Sequence, residues 1–190
     1  MNNKKAKRRL QIGVVGSAGA EEYKFEKPDS AMYAAAEQIG RELAKADAIV
    51  INGGKGGVME AVCRGAKLEN GITVAETSGI VRDTANQYVD IEIITGSLNM
   101  SGPSVLVGMC DGVIALGGGA GTLQEICVAY RLKKPIVLLA GYGGWTDKLA
   151  DEAYLDERRL TPFNLAVDVD AAVKTILNLA AQNLKDTLAQ

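Results

Sequence analysis

The stretch VIALGGGAGTLQE, Val113 to Glu125, runs from an apolar tetrad through glycines into a helical pattern. An unbroken apolar run of that length reads as a strand buried on both faces. Leu123, Ile126, Cys127 and Tyr130 then stripe one side of a helix. A strand that turns through glycines into a helix presents bare backbone N–H groups at the positive end of a helix dipole, which is an anion site. Glu125 adds one carboxylate beside it. Thr122 and Glu125 also have the spacing of a capping box, Thr at N-cap and Glu at N3, which accounts for both without chemistry. A cap does not account for Gly117, Gly118, Gly119 and Gly121.

The same alternation extends outward along the chain. Ile12–Val15, Ala48–Ile51, Ile72–Ala75, Ile91–Thr95, Pro135–Leu139 and Leu165–Val169 read as further strands. Asp29–Ala44, capped by Asp29 or Ser30, reads as a helix, as do Val58–Leu68, Ser104–Cys110 and Ala171–Leu184. Apolar strands alternating with helices predict an α/β protein: a Rossmann-like doubly wound parallel sheet of about seven strands flanked by helices. The expected organisation is a basic, disordered leader over 1–9, one nucleotide-binding domain over 10–184 and a tail over 185–190. Gly141–Pro162 is the least regular segment, and its GYGGW opening reads as a ligand lid or an ordinary loop, the loop being preferred.

In doubly wound sheets ligands bind at the C-terminal ends of the strands. The glycine turns after Val15, Ile51 and Leu116 all fall at that edge. In the turn Gly16-Ser17-Ala18-Gly19, Gly16 and Ser17 are candidates to receive a phosphate or a ribose hydroxyl. The complete dinucleotide fingerprint is absent there. In NGGKGGVM, 52–59, four glycines let backbone approach a ligand closely. Gly53, Gly54, Gly57 and Met59 are the candidate contacts. No G-K-[ST] closes this loop, so it is not a Walker A loop. Lys55 either neutralises a phosphate or points into water. In the third turn the candidates are Gly118, Gly119, Gly121 and Thr122 for the phosphate, with Glu125 as the candidate catalytic carboxylate. Glu21 and Glu22 read as surface acids, and 151–159 as a solvated charged face.

Composition narrows the chemistry. The chain has 190 residues, 22 of them glycine, and no histidine. Histidine-based acid–base catalysis, Ser-His-Asp triads and most catalytic zinc sites are thereby excluded. The net charge is −2, yet five of the 21 basic residues, Lys4, Lys5, Lys7, Arg8 and Arg9, sit in the leader, so the body is acidic. An acidic body argues against a nucleic-acid surface. Cys63, Cys110 and Cys127 lie in apolar patterns without a CxxC, and read as buried free thiols of a cytoplasmic protein. No apolar run is long enough to span a membrane. No metal site is expected.

GGKGGVMEAV at 53–62 together with GGGAGTLQE at 117–125 resembles the paired signatures of the LONELY GUY-type fold. That superfamily includes cytokinin-activating phosphoribohydrolases, proteins mislabelled lysine decarboxylases, and molybdenum-cofactor carrier proteins. The segment from Ala85 to Asp90, with Thr95-Gly96 after it, is similar to the carrier branch. In the phosphoribohydrolases the motif is PGGxGTxxE. Gly118, Gly119, Gly121, Thr122 and Glu125 match it, and Gly117 replaces the proline. The resemblance implies a 5′-phosphate held by the glycines and threonine, and a glutamate that assists N-glycosidic cleavage. It also implies an arginine that falls on Gly102, followed by Pro103, counting back from Asp111. Asn99, Ser101, Ser104 or backbone N–H groups are the alternative donors, and Arg82 or Arg131 the spatial substitutes.

The expected function is therefore binding or carriage of a phosphorylated ligand, a nucleotide or the molybdenum cofactor. The alternative is a nucleoside 5′-monophosphate phosphoribohydrolase that releases free base, with Glu125 catalytic. No cofactor is required, the molybdenum cofactor being possible cargo, and the resemblance implies a homodimer or higher homo-oligomer. Nothing marks a pyridoxal phosphate site, so lysine decarboxylation is not expected.

Overall fold

A computed structural model describes residues 8–18, 30–96 and 102–188. The expected sites and caps at Gly19, Glu21, Glu22, Asp29, Asn99 and Ser101, and the leader through Lys7, lie outside the described residues. The chain runs β1 (Gln11–Gly16), α1 (Ser30–Lys45), β2 (Ile49–Asn52), α2 (Val58–Leu68), β3 (Thr73–Thr77), β4 (Ile91–Ile94), α3 (Gly102–Met109), β5 (Gly112–Leu116), α4 (Ala120–Arg131), β6 (Ile136–Leu139), α5 (Gly144–Lys148), β7 (Phe163–Ala166) and α6 (Val169–Leu188). All seven strands are parallel, in the order β4-β3-β2-β1-β5-β6-β7. This is the α/β, Rossmann-like doubly wound sheet that the apolar strand pattern predicts. The order reverses between β1 and β5, where Gly16 pairs with Leu116. A crevice at the C-terminal ends of the strands is expected at that reversal.

Each face of the sheet has its own core. Ile12, Val14, Val50, Ile114, Leu116, Val137 and Leu139 pack under α1, α2 and α6. Val15, Ile51, Val113, Ala115, Ile136 and Leu138 pack under α3 and α4. Neighbouring residues of one strand, such as Val14 and Val15, thus bury opposite faces. This two-sided burial is why the strands read as continuous apolar runs.

Several boundaries differ from expectation for local reasons. β3 continues through Glu76 and Thr77. α3 starts at Gly102, with Pro103 in its first turn, where a missing N–H costs nothing. β7 ends before Val167 because Asp168 accepts the Ala171 N–H at 2.7 Å and so caps α6 early. α6 runs on to Leu188, taking 185–188 into the helix. The irregular segment holds a short helix, α5. At the other end Arg8 pairs with Asp111 and Arg9 with Asp47, both at 2.9 Å, so these two leader residues lie against the body. Cys63 and Cys110 are buried as expected, whereas Cys127 is only half-buried. Among the described residues no helix is long and apolar enough to cross a membrane.

α1 and α2 cross unusually close. A Cβ on Gly65 would lie 1.9 Å from the Glu37 carbonyl oxygen, and one on Gly40 2.0 Å from that of Val62. Backbone cannot yield as a side chain does. Gly65→Ala should therefore destabilise the fold by about 2–3 kcal/mol. In a thermal melt it should lower Tm by roughly 4–10 °C.

Candidate functional site

β2, β1 and β5 are neighbours, so the loops that follow them meet at one edge. The three sequence motifs are brought together there. The Ser17 hydroxyl accepts the Gly118 N–H at 3.0 Å, and the Ser17 carbonyl accepts the Val58 N–H at 3.0 Å. The loop after β1 thus ties the loop after β5 to the start of α2.

The loop after β2 is shaped from within. Asn52, fully buried, accepts the Gly54 N–H at 2.8 Å and donates to the Met59 carbonyl at 3.2 Å. Asn86, arriving from the segment between β3 and β4, donates to the Gly54 and Lys55 carbonyls at 3.1 and 3.0 Å. Neither asparagine was assigned a role from sequence alone. Asn52 was detectable as a polar residue ending a buried strand.

The loop after β5 is held by α5. Gly117 N–H donates to the Thr146 hydroxyl at 2.9 Å, and the Thr146 and Trp145 amides donate to the Gly117 and Gly118 carbonyls at 3.3 and 3.0 Å. A Cβ on Gly144 would come within 2.5 Å of this backbone. The GYGGW segment is therefore not an ordinary loop. It is a buttress for the glycine turn, and Thr146 is fully buried in making it.

The expected capping box does not form. α4 starts at Ala120, its N-cap is Gly119, and no side chain caps it. The positive φ of Gly118, 92°, turns the chain into the helix early. Thr122 then sits one turn inside and packs over Gly118, where a Cβ would lie 2.4 Å from it. Glu125 is a further turn on and makes no reciprocal cap.

The glycines now separate into two kinds. Gly16 is demanded by the Leu116 carbonyl and Val58, 2.5 and 2.9 Å from a Cβ placed there, and Gly54 by Ala75 at 2.6 Å. Gly53 lies against the Met59 sulfur at 3.1 Å, and Gly57 needs its φ of 71° to enter α2. Gly118 is demanded by Thr122. Gly119 and Gly121 are different: a Cβ on either meets nothing within 4 Å. Gly56, absent from the expected contacts, meets only the Glu60 carboxylate at 3.9 Å.

Beside Gly119 and Gly121 the amides of Ala120, Gly121 and Thr122 have no protein acceptor among the described residues. Three N–H groups of a helix first turn, facing open space, can hold an anion. A groove along the outside of α1 and α2, lined by Tyr33, Glu37, Arg41 and Arg64, reaches this edge only at Ser30 and Gly57.

Among the described residues, Glu125 and Glu76 join Glu60 and Asp147 near this edge. Glu125 lies on α4 one turn after Gly121 and Thr122. Burial, and secondarily the Glu76 carboxylate, push the Glu125 carboxyl up to about 8. Glu76 is 5% exposed and accepts the Thr95 hydroxyl at 2.5 Å. Sequence reasoning missed it by ending the strand at Ala75. An acid inside a strand buried at every position is the signal that could have found it. A Cβ on Gly102 would lie 2.9 Å from the Glu76 carboxylate. At the position where the resemblance implies an arginine there is thus a glycine, with the end of the Glu76 side chain beside it. Arg131 does not substitute, because it ends α4, roughly 16 Å of helix from Ala120. Ser104 is exposed on α3. No group of three metal-ligating side chains occurs among the described residues.

A family model described as SLOG cluster4 matches residues 9–169. The chain belongs to the SLOG cluster4 family. The structure of TM1055, a structural-genomics target, superposes with a TM-score of 0.81 at 35% identity, covering 89% of this chain and 99% of that one. The molybdenum cofactor binding protein of the phototrophic bacterium Rippkaea orientalis gives 0.76 at 26% identity over 91% and 98%. The molybdenum cofactor carrier protein of Chlamydomonas reinhardtii gives 0.75 at 28% over 91% and 99%. This SLOG chain therefore falls in the superfamily of LONELY GUY-type and molybdenum-cofactor carrier proteins that its glycine motifs indicate.

Two substitutions separate the kinds of glycine in this SLOG protein. Gly118→Ala should cost at least about 2 kcal/mol, from Thr122 and the positive φ. Gly121→Ala should gain about 0.5–1 kcal/mol, because Ala is the better helix residue and nothing obstructs it. Chemical denaturation of both variants measures the contrast.

Glu125 gives a signed pH dependence. Its folded carboxyl is raised from 4.5 to about 8, so the fold binds more protons than the unfolded chain between those values. The stability this contributes is complete below 4.5 and lost as pH rises through about 8. The loss is at most about 1.4 kcal/mol per pH unit. Glu125→Gln escapes it. Its Tm should match the parent at about pH 4 and exceed it increasingly towards about pH 8, a gain of roughly 1–3 kcal/mol.

Proposed function

We propose that this chain binds a phosphorylated small molecule, with the phosphate on the first turn of α4, and that it carries the molybdenum cofactor. The observation that carries the reading is the trio of acceptor-free amides at Ala120, Gly121 and Thr122 beside two glycines that neither packing nor backbone demands. Ser17, Gly53, Gly54, Gly57, Met59 and Gly118 then hold the cradle in shape, and Gly119, Gly121 and Thr122 line the ligand side. The names of the Rippkaea and Chlamydomonas neighbours support the cargo. A cytoplasmic, homodimeric carrier is the accompanying expectation.

The hydrolase reading keeps one supporting observation. A carboxyl that stays protonated near neutral pH could donate a proton to a departing base. Against it stands the Glu76 carboxylate at Gly102, where the hydrolases place a cation. Without that cation an oxocarbenium-forming cleavage lacks its phosphate clamp.

The two are separated by titrating the protein with nucleoside 5′-monophosphates, N6-modified adenylates included, and with anaerobically supplied molybdenum cofactor, while assaying free base. Binding without base release is expected, weakened at least about tenfold in Gly121→Val. Base release that disappears in Glu125→Gln would replace the carrier with a hydrolase. Equal binding by Gly121→Val would move the phosphate away from α4.

A further inference from the structure

Between β3 and β4 the chain crosses without a helix, unlike the crossovers through α1 and α2. The crossing segment is pinned at several points. Asp90 accepts the Thr73 amide at 2.9 Å and pairs with Lys67 at 2.7 Å. Glu92 of β4 accepts the Asp83 and Thr84 amides at 2.7 and 3.2 Å. Between these anchors Asn86 reaches across to the glycine loop after β2. Its backbone N–H donates to the Gly54 carbonyl at 2.7 Å, and its side-chain Nδ2 donates to the Gly54 and Lys55 carbonyls at 3.1 and 3.0 Å. Its Oδ1 accepts the Tyr88 N–H at 3.1 Å, which fixes the end of the side-chain amide that faces the loop.

Two successive carbonyls thus meet one side chain. In a strand successive carbonyls point opposite ways, and the positive φ of Gly54, 69°, is where the chain leaves that pattern. A trans peptide carries its N–H opposite its C=O. The Lys55 N–H shares a peptide with the Gly54 carbonyl, and the Gly56 N–H shares one with the Lys55 carbonyl. Both N–H groups are therefore turned away from Asn86. Asn86 comes from the β3 side, where a Cβ on Gly54 would meet Ala75 and Ala85 at 2.6 and 3.1 Å. Opposite lies the β1 side, where Ser17 joins the start of α2 to the turn after β5. Gly54 gives its own N–H to Asn52, and Val58 gives its N–H to Ser17. Gly56 gives its N–H to no acceptor among the described residues, and a Cβ there meets only the end of the Glu60 side chain, at 3.9 Å.

The loops after β2 and β5 flank the loop after β1, so they stand about 10 Å apart, twice the strand spacing. A phosphate ester of a nucleoside or a pterin is long enough to span that gap, and its heterocycle carries oxygen and nitrogen acceptors. Inorganic phosphate spans no such gap. We propose that Asn86 is a positioning residue for ligand recognition: by holding the Gly54 and Lys55 carbonyls it aims the Gly56 amide into the crevice, where that amide donates to the heterocycle of a ligand whose phosphate lies on α4. This rests on the phosphate reading of the first turn of α4. It adds a contact that selects ring-bearing phosphate esters over inorganic phosphate. Asn86 acts through the loop and does not itself touch the ligand.

The test compares inorganic phosphate, guanosine 5′-monophosphate and anaerobically supplied molybdenum cofactor on the full chain, by amide NMR and titration calorimetry. In the parent, phosphate and the ring-bearing ligands should all shift the Ala120, Gly121 and Thr122 signals, and only the ring-bearing ligands should shift Gly56. Asn86→Asp keeps the acceptor for Tyr88 but sets an anion against two carbonyls, so those peptides turn. It should weaken the ring-bearing ligands roughly tenfold and leave phosphate affinity within about twofold. A Gly56 signal unmoved by both ring-bearing ligands overturns the proposal, even if Asn86→Asp fails to fold. So does a folded Asn86→Asp that weakens phosphate and ring-bearing ligands alike, as a merely loosened edge would, or that weakens neither. Ring-bearing ligands held no more tightly than inorganic phosphate by the parent overturn it too. Those outcomes leave the phosphate reading standing. Ala120, Gly121 and Thr122 signals unmoved by every ligand overturn that reading, and the proposal with it.

Discussion

A buried backbone N–H must find an acceptor, and the turn after β5 meets that demand from two directions. Gly117 donates to Thr146 and Gly118 donates to Ser17, while Thr146 and Trp145 return their own amides to the carbonyls of the same two glycines. An unmet amide at these positions would cost about 1–3 kcal/mol. The exchange therefore locks the turn rigidly between β1 and α5. Everything downstream follows from that lock. It sets where α4 begins, and so which amides remain over. The leftover amides include those of Ala120, Gly121 and Thr122, in the first turn of α4.

The lock also settles what the glycines are for. A glycine-rich turn is commonly read as room for a ligand, yet most of these glycines are occupied with the protein itself. Gly16, Gly54, Gly118 and Gly144 each bring backbone or side chain to within 2.6 Å of where a Cβ would stand. Such approaches let three loops and a short helix share one edge of the sheet. Where this packing ends, at Gly119 and Gly121, the missing side chain leaves open space. A rigid scaffold with a small open face suits recognition, because little ordering entropy is left to lose on binding.

How much of this was legible in the sequence depended on whether the signal was local. The sheet was legible because each strand is apolar on both faces and each helix repeats at its own period. Val14 and Val15 show why, since each buries an opposite face. The three glycine turns were legible as one edge, because parallel strands send every such turn to the same side. The capping box was legible and misleading. Thr122 and Glu125 have the right spacing, but the φ of Gly118 starts the helix three residues sooner, and no local pattern reports that. The buttress at Gly144–Lys148 was invisible for the same reason: its partners, Gly117 and Gly118, are a strand and a helix away in sequence.

Glu76 marks the deeper limit. An acid at the end of a buried strand is locally anomalous, so a sequence can flag it. Its consequence belongs to another element. Glu76, in β3, meets α3 at Gly102, distant in sequence, where a Cβ would come within 2.9 Å of its carboxylate. Read as a motif, GGxGTxxE carries a free carboxylate at its last position. In this fold that carboxyl is desolvated and faced by a like charge, two effects that act in the same direction. The same letters thus place a desolvated carboxyl here, whose ionisation burial opposes. The chemistry of the motif is set first by how deeply the fold buries its last residue.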